Sequence, residues 1–152
     1  AVVSTELAVQ ELHTLGLSAT RIPVGSNIRP QQIVSGEIEK LRAEVAPHGE
    51  KIIATFGIRE HESLLPVLKK LLETGYEAKL LVIGKLSDEK RKTLMQWAKE
   101  NHLWPHLYLT GYQNEAAVWR YLRCADVFVL LEDDRGGVCT KSGSLAAAYA
   151  AG

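Results

Sequence analysis

The sequence predicts an α/β fold: a Rossmann-like parallel sheet with helices on both faces. Two observations carry this. From Lys51 onward, four short and nearly continuous apolar runs alternate with helical patterns of about 10–15 residues, the signature of βαβ units whose strands are buried on both sides. Three of the four runs also end in or beside a glycine, at Gly57, Gly84 and Gly111, where a strand gives way to a helix. The crossovers are expected to be right-handed.

Residues 1–3 read as a strand, 5–15 as a helix stopped by Gly16, and 20–24 as a second strand. The stretch 25–32, next to Pro23 and containing Pro30, is irregular and is the best linker candidate. Residues 37–45 form a short helix closed by Pro47-His48-Gly49. The β-rich run 51–56 follows. In 61–74, Leu64, Leu65, Leu68, Leu71 and Leu72 recur at helical spacing, with Pro66 close enough to the start to be tolerated and Gly75 as the stop. The run 79–83 is a strand. Ser87 then caps a helix over 88–101 whose acidic first turn suits the helix dipole. A strand over 106–109, a helix capped by Asn114 and running to Arg123, and a fourth apolar run over 126–130 come next. A loop over 131–141 leads into a helix over 142–151.

Composition excludes several function classes. The 152 residues carry 18 basic and 18 acidic side chains, with 46% hydrophobic and 24% charged residues, which is a globular and not a disordered balance. No third of the chain is strongly one-signed, so no nucleic-acid partner is expected. No apolar run approaches the ~20 residues of a membrane span. Two cysteines, Cys124 and Cys139, form no disulfide framework and suit a reducing, cytoplasmic compartment. The chain starts at Ala1, its one methionine is Met95, and it stops inside an alanine-rich helical pattern, so it is expected to be a piece of something longer.

In an open parallel sheet, ligands bind beyond the carboxyl ends of the strands. The residues expected there are Gly57 and Arg59, Gly84 and Lys85, Gly111 to Gln113, and the loop before Ser142. The strongest feature is Gly136-Gly137-Val138-Cys139-Thr140-Lys141-Ser142-Gly143-Ser144. A strand, a glycine-containing loop and a helix opening on Ser-Gly-Ser present free N–H groups, hydroxyls and one lysine to an anion. Ordinary capping by Ser142 is the alternative reading. The loop is not a Walker A motif, because Thr140 stands where that motif needs glycine, and no Gly-x-Gly-x-x-Gly pattern is present. Glu132-Asp133-Asp134 is a weak cation candidate, the five histidines lack metal-ligand spacing, and Cys139 has no suggestive histidine before it. Trp97, Trp104 and Trp119 read as packing residues.

The ordered series Arg21-Ile22-Pro23-Val24-Gly25-Ser26-Asn27, Ala54-Thr55-Phe56-Gly57, Leu81-Val82-Ile83-Gly84-Lys85, Leu109-Thr110-Gly111-Tyr112, Ala125-Asp126-Val127-Phe128-Val129-Leu130 and Ser142-Gly143-Ser144-Leu145-Ala146-Ala147-Ala148 resembles the second half of a GT-B-fold glycosyltransferase of the large group 1 (family 4) class. The resemblance covers almost the whole chain. It implies two Rossmann-like domains flanking a cleft, with residues 1–28 as the end of the acceptor-side domain and its linker. Residues 29–152 would then be a nucleotide-sugar donor domain truncated at its end.

The resemblance places Arg59, Lys141, Ser142, Gly143 and Ser144 on the donor phosphates and Gly57, Gly84, Lys85, Tyr112 and Gln113 around the nucleoside. It implies transfer with retention from a nucleotide-diphosphate sugar to a saccharide or lipid-linked acceptor held through the missing domain. No metal and no cofactor other than that donor substrate are implied, nor is activity of the isolated fragment. Polysaccharide biosynthesis in the cytoplasm is the expected setting, with room for peripheral membrane association of the full-length protein. Two departures stand out. Glu60, His61, Glu62 and Ser63 occupy the stretch where the family carries a lysine, and the positions of its paired glutamates hold Cys139 and Ala147. They define an alternative: a degenerate, non-catalytic module that binds a nucleotide sugar or a partner. A flavodoxin-like nucleotide-binding regulator is a third reading.

Overall fold

The computed structural model describes residues 1–57, 61–131 and 142–152. Among the described residues two parallel sheets form. The first is small: β1 (Val2–Val3) and β2 (Thr20–Arg21) are joined by α1 (Glu6–Thr14), which opens with the Thr5 hydroxyl accepting from the Ala8 N–H. The strand expected over 20–24 ends at Arg21. The last ladder bond is from Ile22 N–H to Val3 O at 2.8 Å, and Pro23 has no N–H with which to continue it.

The larger sheet has the order β5-β4-β3-β6, all parallel. After α2 (Glu37–Val45) come β3 (Lys51–Phe56), α3 (Leu65–Glu73), β4 (Ala78–Ile83), α4 (Asp88–Glu100), β5 (Leu107–Leu109), α5 (Glu115–Cys124), β6 (Val127–Phe128) and α6 (Gly143–Ala151). The helix expected from residue 61 opens as a 3₁₀ turn, His61–Leu64, with Pro66 in the first turn of α3, where no N–H is needed. β6 is shorter than the apolar run 126–130: only Val127 and Phe128 pair with β3, extended by bonds from the N–H of Asp126 and of Val129 to Ile52 O and Ala54 O. His106 closes a 3₁₀ turn, Trp104–His106, so β5 begins one residue later than expected.

The strand pleat divides the core. Leu81 and Ile83 of β4, with Ile52 and Ala54 of β3, pack toward α2, α5 and α6; Leu80 and Val82 pack on the other face toward α3 and α4. Each of these six side chains is about fully buried, and large-to-small truncation at such a site typically costs ~2–5 kcal/mol. The helices therefore lie on both faces, as the continuous apolar runs imply. From β3 the chain steps outward to β4 and β5, then returns to place β6 on the opposite side of β3. That reversal puts the switch point of the sheet between β3 and β6.

At the amino end of the strands, charges lock elements together. Asp126, just before β6, accepts from Ile52 N–H at 2.8 Å, Arg42 Nη2 at 2.9 Å and Lys51 Nζ at 3.2 Å, while Arg42 also donates to Cys124 O. Burial works against the Asp126 charge, but the Ile52 N–H, Arg42 and Lys51 outweigh it and hold the carboxyl below its ordinary 3.8. Nearby, the buried Glu50 accepts from His48 N–H and pairs with Lys79, and its carboxyl is held low in the same way.

A depressed folded-state pKa contributes stability above 3.8 that is lost as the pH falls toward the folded value. Asp126→Asn should therefore lower the unfolding free energy at pH 7 by roughly 1–3 kcal/mol in urea titrations. The gap to the native chain should narrow as the pH falls below 3.8. A gap unchanged between pH 7 and pH 3 would show that the charge contributes nothing.

Candidate functional site

The switch point is built from three segments. β3 ends at Gly57, whose φ of +108° is open to glycine and strained for other residues. α6 opens opposite it: the buried Ser142 hydroxyl caps the helix by accepting from Leu145 N–H at 3.1 Å. A Cβ on residue 57 would stand 2.8 Å from Ser144 Oγ, so the end of β3 and the first turn of α6 are in van der Waals contact. The third segment is the linker. Asn27 Oδ1 lies 3.8 Å from where a Cβ on Gly143 would be. It is held there because Ile28 is buried in the core beside a Ser26 turn and Arg29 N–H donates to Glu115 Oε1 at 2.6 Å. The first-turn N–H groups and the positive dipole end of α6 thus lie at the carboxyl end of β3, an arrangement suited to an anion.

A cleft of about 490 Å³ opens beside it, at the ends of β4 and β5. Its floor is Gly84 (φ +112°) and Gly111 (φ +66°), which bridge one another, with Gly84 N–H donating to Thr110 Oγ1 at 3.1 Å. Lys85 and Tyr112 line it, the latter 81% exposed.

The structure therefore brings the residues predicted from sequence into two neighbouring groups on one end of the sheet. Gly57 and Ser144 touch, with Ser142 and Gly143 beside them; Gly84, Lys85 and Tyr112 share the cleft. Ser142 does act as an ordinary cap, and its hydroxyl hydrogen is left able to donate. Gln113 stands apart from the cleft: its Nε2 donates to Thr110 O at 2.8 Å and steadies the turn. Arg59 and Lys141 lie outside the described residues, as do Glu132-Asp133-Asp134 and Cys139.

Sequence reasoning missed Asp88 and Arg91, which line the cleft from the start of α4, and Asn27. The acidic first turn of α4 reads as a dipole effect until the strand order places it beside Gly84 and Tyr112. Cys124 is no nucleophile: burial pushes its thiol up to about 11, against the pull of Arg42. Trp119 is buried and Trp97 is packed in the core, while Trp104 lies 5.9 Å beneath the Lys99 ammonium. Among the described residues no group of His, Cys, Asp or Glu side chains could hold a metal ion, and no helix is long and apolar enough to cross a membrane.

The family model described as glycosyl transferases group 1 matches residues 37–138, well over half of the chain. The chain belongs to that family. No curated protein matches this group 1 chain. Solved structures share its fold. A glycosyltransferase from Rickettsia africae superposes with a TM-score of 0.66 at 16% identity, over 84% of this chain and 36% of the other. Anabaena HepE in complex with UDP-glucose gives 0.62 at 13%, over 84% and 36%. Sucrose-phosphate synthase from Thermosynechococcus elongatus gives 0.61 at 17%, over 84% and 33%. At these identities the likeness concerns the fold, a part of the GT-B architecture. The group 1 chain spans about a third of the length of those proteins.

Gly57→Ala should destabilise the chain by roughly 1–3 kcal/mol, because the backbone strain at φ +108° cannot be relieved locally. The Ser144 hydroxyl can rotate away, so adding Ser144→Ala should recover only the smaller share of the loss. Full recovery in the double variant, read by thermal or urea unfolding, would assign the cost to the contact and not to the backbone.

Proposed function

We propose that this chain is the donor-binding part of a retaining glycosyltransferase, which takes a sugar from a nucleotide-diphosphate sugar and passes it to a saccharide or lipid-linked acceptor. Residues 1–28 are the end of the acceptor-side domain and its linker, and 29–152 the donor domain. The observation that carries the reading is the contact between Gly57 and the first turn of α6, which sets a helix N-terminus at the switch point beside an open cleft. Family membership supports it, as do the UDP, glucose and UDP-glucose found with HepE, a protein of similar fold.

In this reading the diphosphate lies against the first-turn N–H groups of α6, with Ser142, Gly143 and Ser144 around it and the cations Arg59 and Lys141 beside it. The nucleoside extends past Gly57 into the cleft of Gly84, Lys85 and Tyr112, with Gln113 behind the turn. Transfer breaks the bond between the anomeric carbon and the diphosphate oxygen. The negative charge that develops on the leaving diphosphate is met by the fixed N–H dipoles at the start of α6, to which the two cations add their charge. No metal and no further cofactor is needed for that stabilisation. The setting is polysaccharide biosynthesis in the cytoplasm, with the full-length protein free to sit at a membrane surface.

Calorimetric titration of the 152-residue chain with UDP, GDP and UDP-sugars tests the donor site. Binding in the millimolar range or tighter is expected, weakened at least about tenfold by Lys141→Ala, because a charge-assisted contact is lost. Ser142→Ala should weaken it too, at a stability cost of ~1 kcal/mol from the lost cap. No binding at millimolar ligand rejects the donor site. Transfer by a full-length protein, with the anomeric configuration of the product read by NMR, separates a retaining enzyme from an inverting one and from a non-catalytic module.

A further inference from the structure

We infer that the chain pivots at Val24-Gly25, and that the stretch beyond it, residues 26–29, is a strap fixed in the body of the larger sheet that holds the first turn of α6. The strap's effect on a nucleotide rests on reading the carboxyl end of that sheet as a donor site; the pivot rests on packing alone.

Residues 1–25 are tied to one another and to nothing else by polar contacts. Among the described residues, their hydrogen bonds and ion pairs all stay within the stretch, including the β1–β2 ladder, the bond from the Ala1 ammonium to Ser18 O at 2.8 Å and the Arg21–Glu6 pair. Ile28 is the first residue of the chain to enter either apolar core cluster. The junction between the two parts is narrow. Ile22 N–H makes the last ladder bond, and Pro23 has no N–H and a φ fixed by its ring. Val24 and Gly25 make no hydrogen bond among the described residues, and nothing lies within 4 Å of where a Cβ on Gly25 would be. Rotation here breaks no hydrogen bond, and glycine leaves the backbone its widest range.

From Ser26 the chain is anchored again. Ser26 Oγ donates to Ile28 O at 2.7 Å and accepts from Ile28 N–H at 3.0 Å. Ile28 is buried in the core, and Arg29 N–H donates to Glu115 Oε1 at 2.6 Å in the first turn of α5. Asn27 stands between these anchors, with its Oδ1 3.8 Å from where a Cβ on Gly143 would be. Motion of residues 1–25 therefore stops at the pivot, and the wall that the linker gives to α6 stays with α6. Donors already fixed in place bind without an ordering cost. The strap supplies that fixity at Gly143, where the backbone of α6 has no side chain of its own to restrain it.

Residual dipolar couplings of the isotopically labelled 152-residue chain test the pivot and the strap. Amide couplings of residues 27–29 should fit the alignment of β3, β4 and α5, whereas those of β1, α1 and β2 should be scaled down or fit a different alignment. One alignment for the whole chain overturns the pivot, and couplings of 27–29 that follow α1 overturn the strap. Glu115→Ala removes the acceptor of Arg29 N–H at an exposed position and should release 27–29 from the alignment of the sheet. Glu115→Gln keeps an oxygen acceptor there and should restore it, with circular dichroism confirming that both variants fold. In calorimetry UDP should bind Glu115→Ala roughly two- to tenfold more weakly than the native chain, the worth of one hydrogen bond, and Glu115→Gln like the native chain. Equal UDP affinity in all three overturns the strap's hold on α6 and leaves the donor site standing. Failure of the native chain to bind UDP at millimolar concentration overturns the donor site and the strap's effect on it, while the couplings still decide the pivot.

Discussion

A side chain at residue 57 would meet the Ser144 hydroxyl at 2.8 Å, and the backbone there holds φ at +108°, so β3 and α6 can come together at this point around a glycine and with difficulty around anything else. Much at the carboxyl end of the sheet follows from that contact. It fixes where α6 begins, and so where its unsatisfied N–H groups lie. The alanine-rich body of α6 extends the same logic, since Ala147 and Ala151 are small enough to bury against the core. The linker completes the arrangement: Ile28 is buried among the residues that α2, α5 and α6 cover, which brings Asn27 up to Gly143.

The two ends of the strands use charge in opposite ways. At the amino end, Asp126 and Glu50 are paired with Arg42, Lys51 and Lys79 and accept backbone N–H bonds, tying α2, β3, β4 and β6 into one body. At the carboxyl end, Lys85, Asp88 and Arg91 line an open cleft without partners among the described residues. The overall neutrality of the chain conceals this division. The amino end is thus held together by paired charges, while the charges at the carboxyl end are open to solvent.

The fold was legible because the strands of a sheet buried on both sides must be apolar throughout, and the runs ending at Gly57 and Gly84 have that character. Boundaries were less so. Nothing in Thr20-Arg21-Ile22 reveals that pairing stops at Arg21; that depends on where β1 ends and on the proline at 23. The short pairing of β6 depends on its register against β3, which local sequence does not encode. That Gly57 and Ser144 would meet, and that Gly84, Lys85 and Tyr112 would share a cleft, was readable as a grouping because residues that follow parallel strands gather at one end of the sheet. Asp88 and Arg91 were not, since exposed charges in a first turn have a sufficient explanation in the helix dipole. Gln113 illustrates the reverse case: a polar side chain at a promising position proves to serve its own turn.

The central claim is that the end of β3, the start of α6 and the cleft beside them form one nucleotide site. Its most direct test is an amide chemical-shift map of the isotopically labelled chain titrated with UDP. The account predicts that the largest perturbations fall on Gly57, Gly143, Ser144, Gly84 and Tyr112, with β1, α1 and the amino ends of the strands unmoved. Perturbations confined to the small β1–β2 unit, or to the apolar recess that Val67 and Leu71 of α3 form with Val127 and Val129, would contradict it.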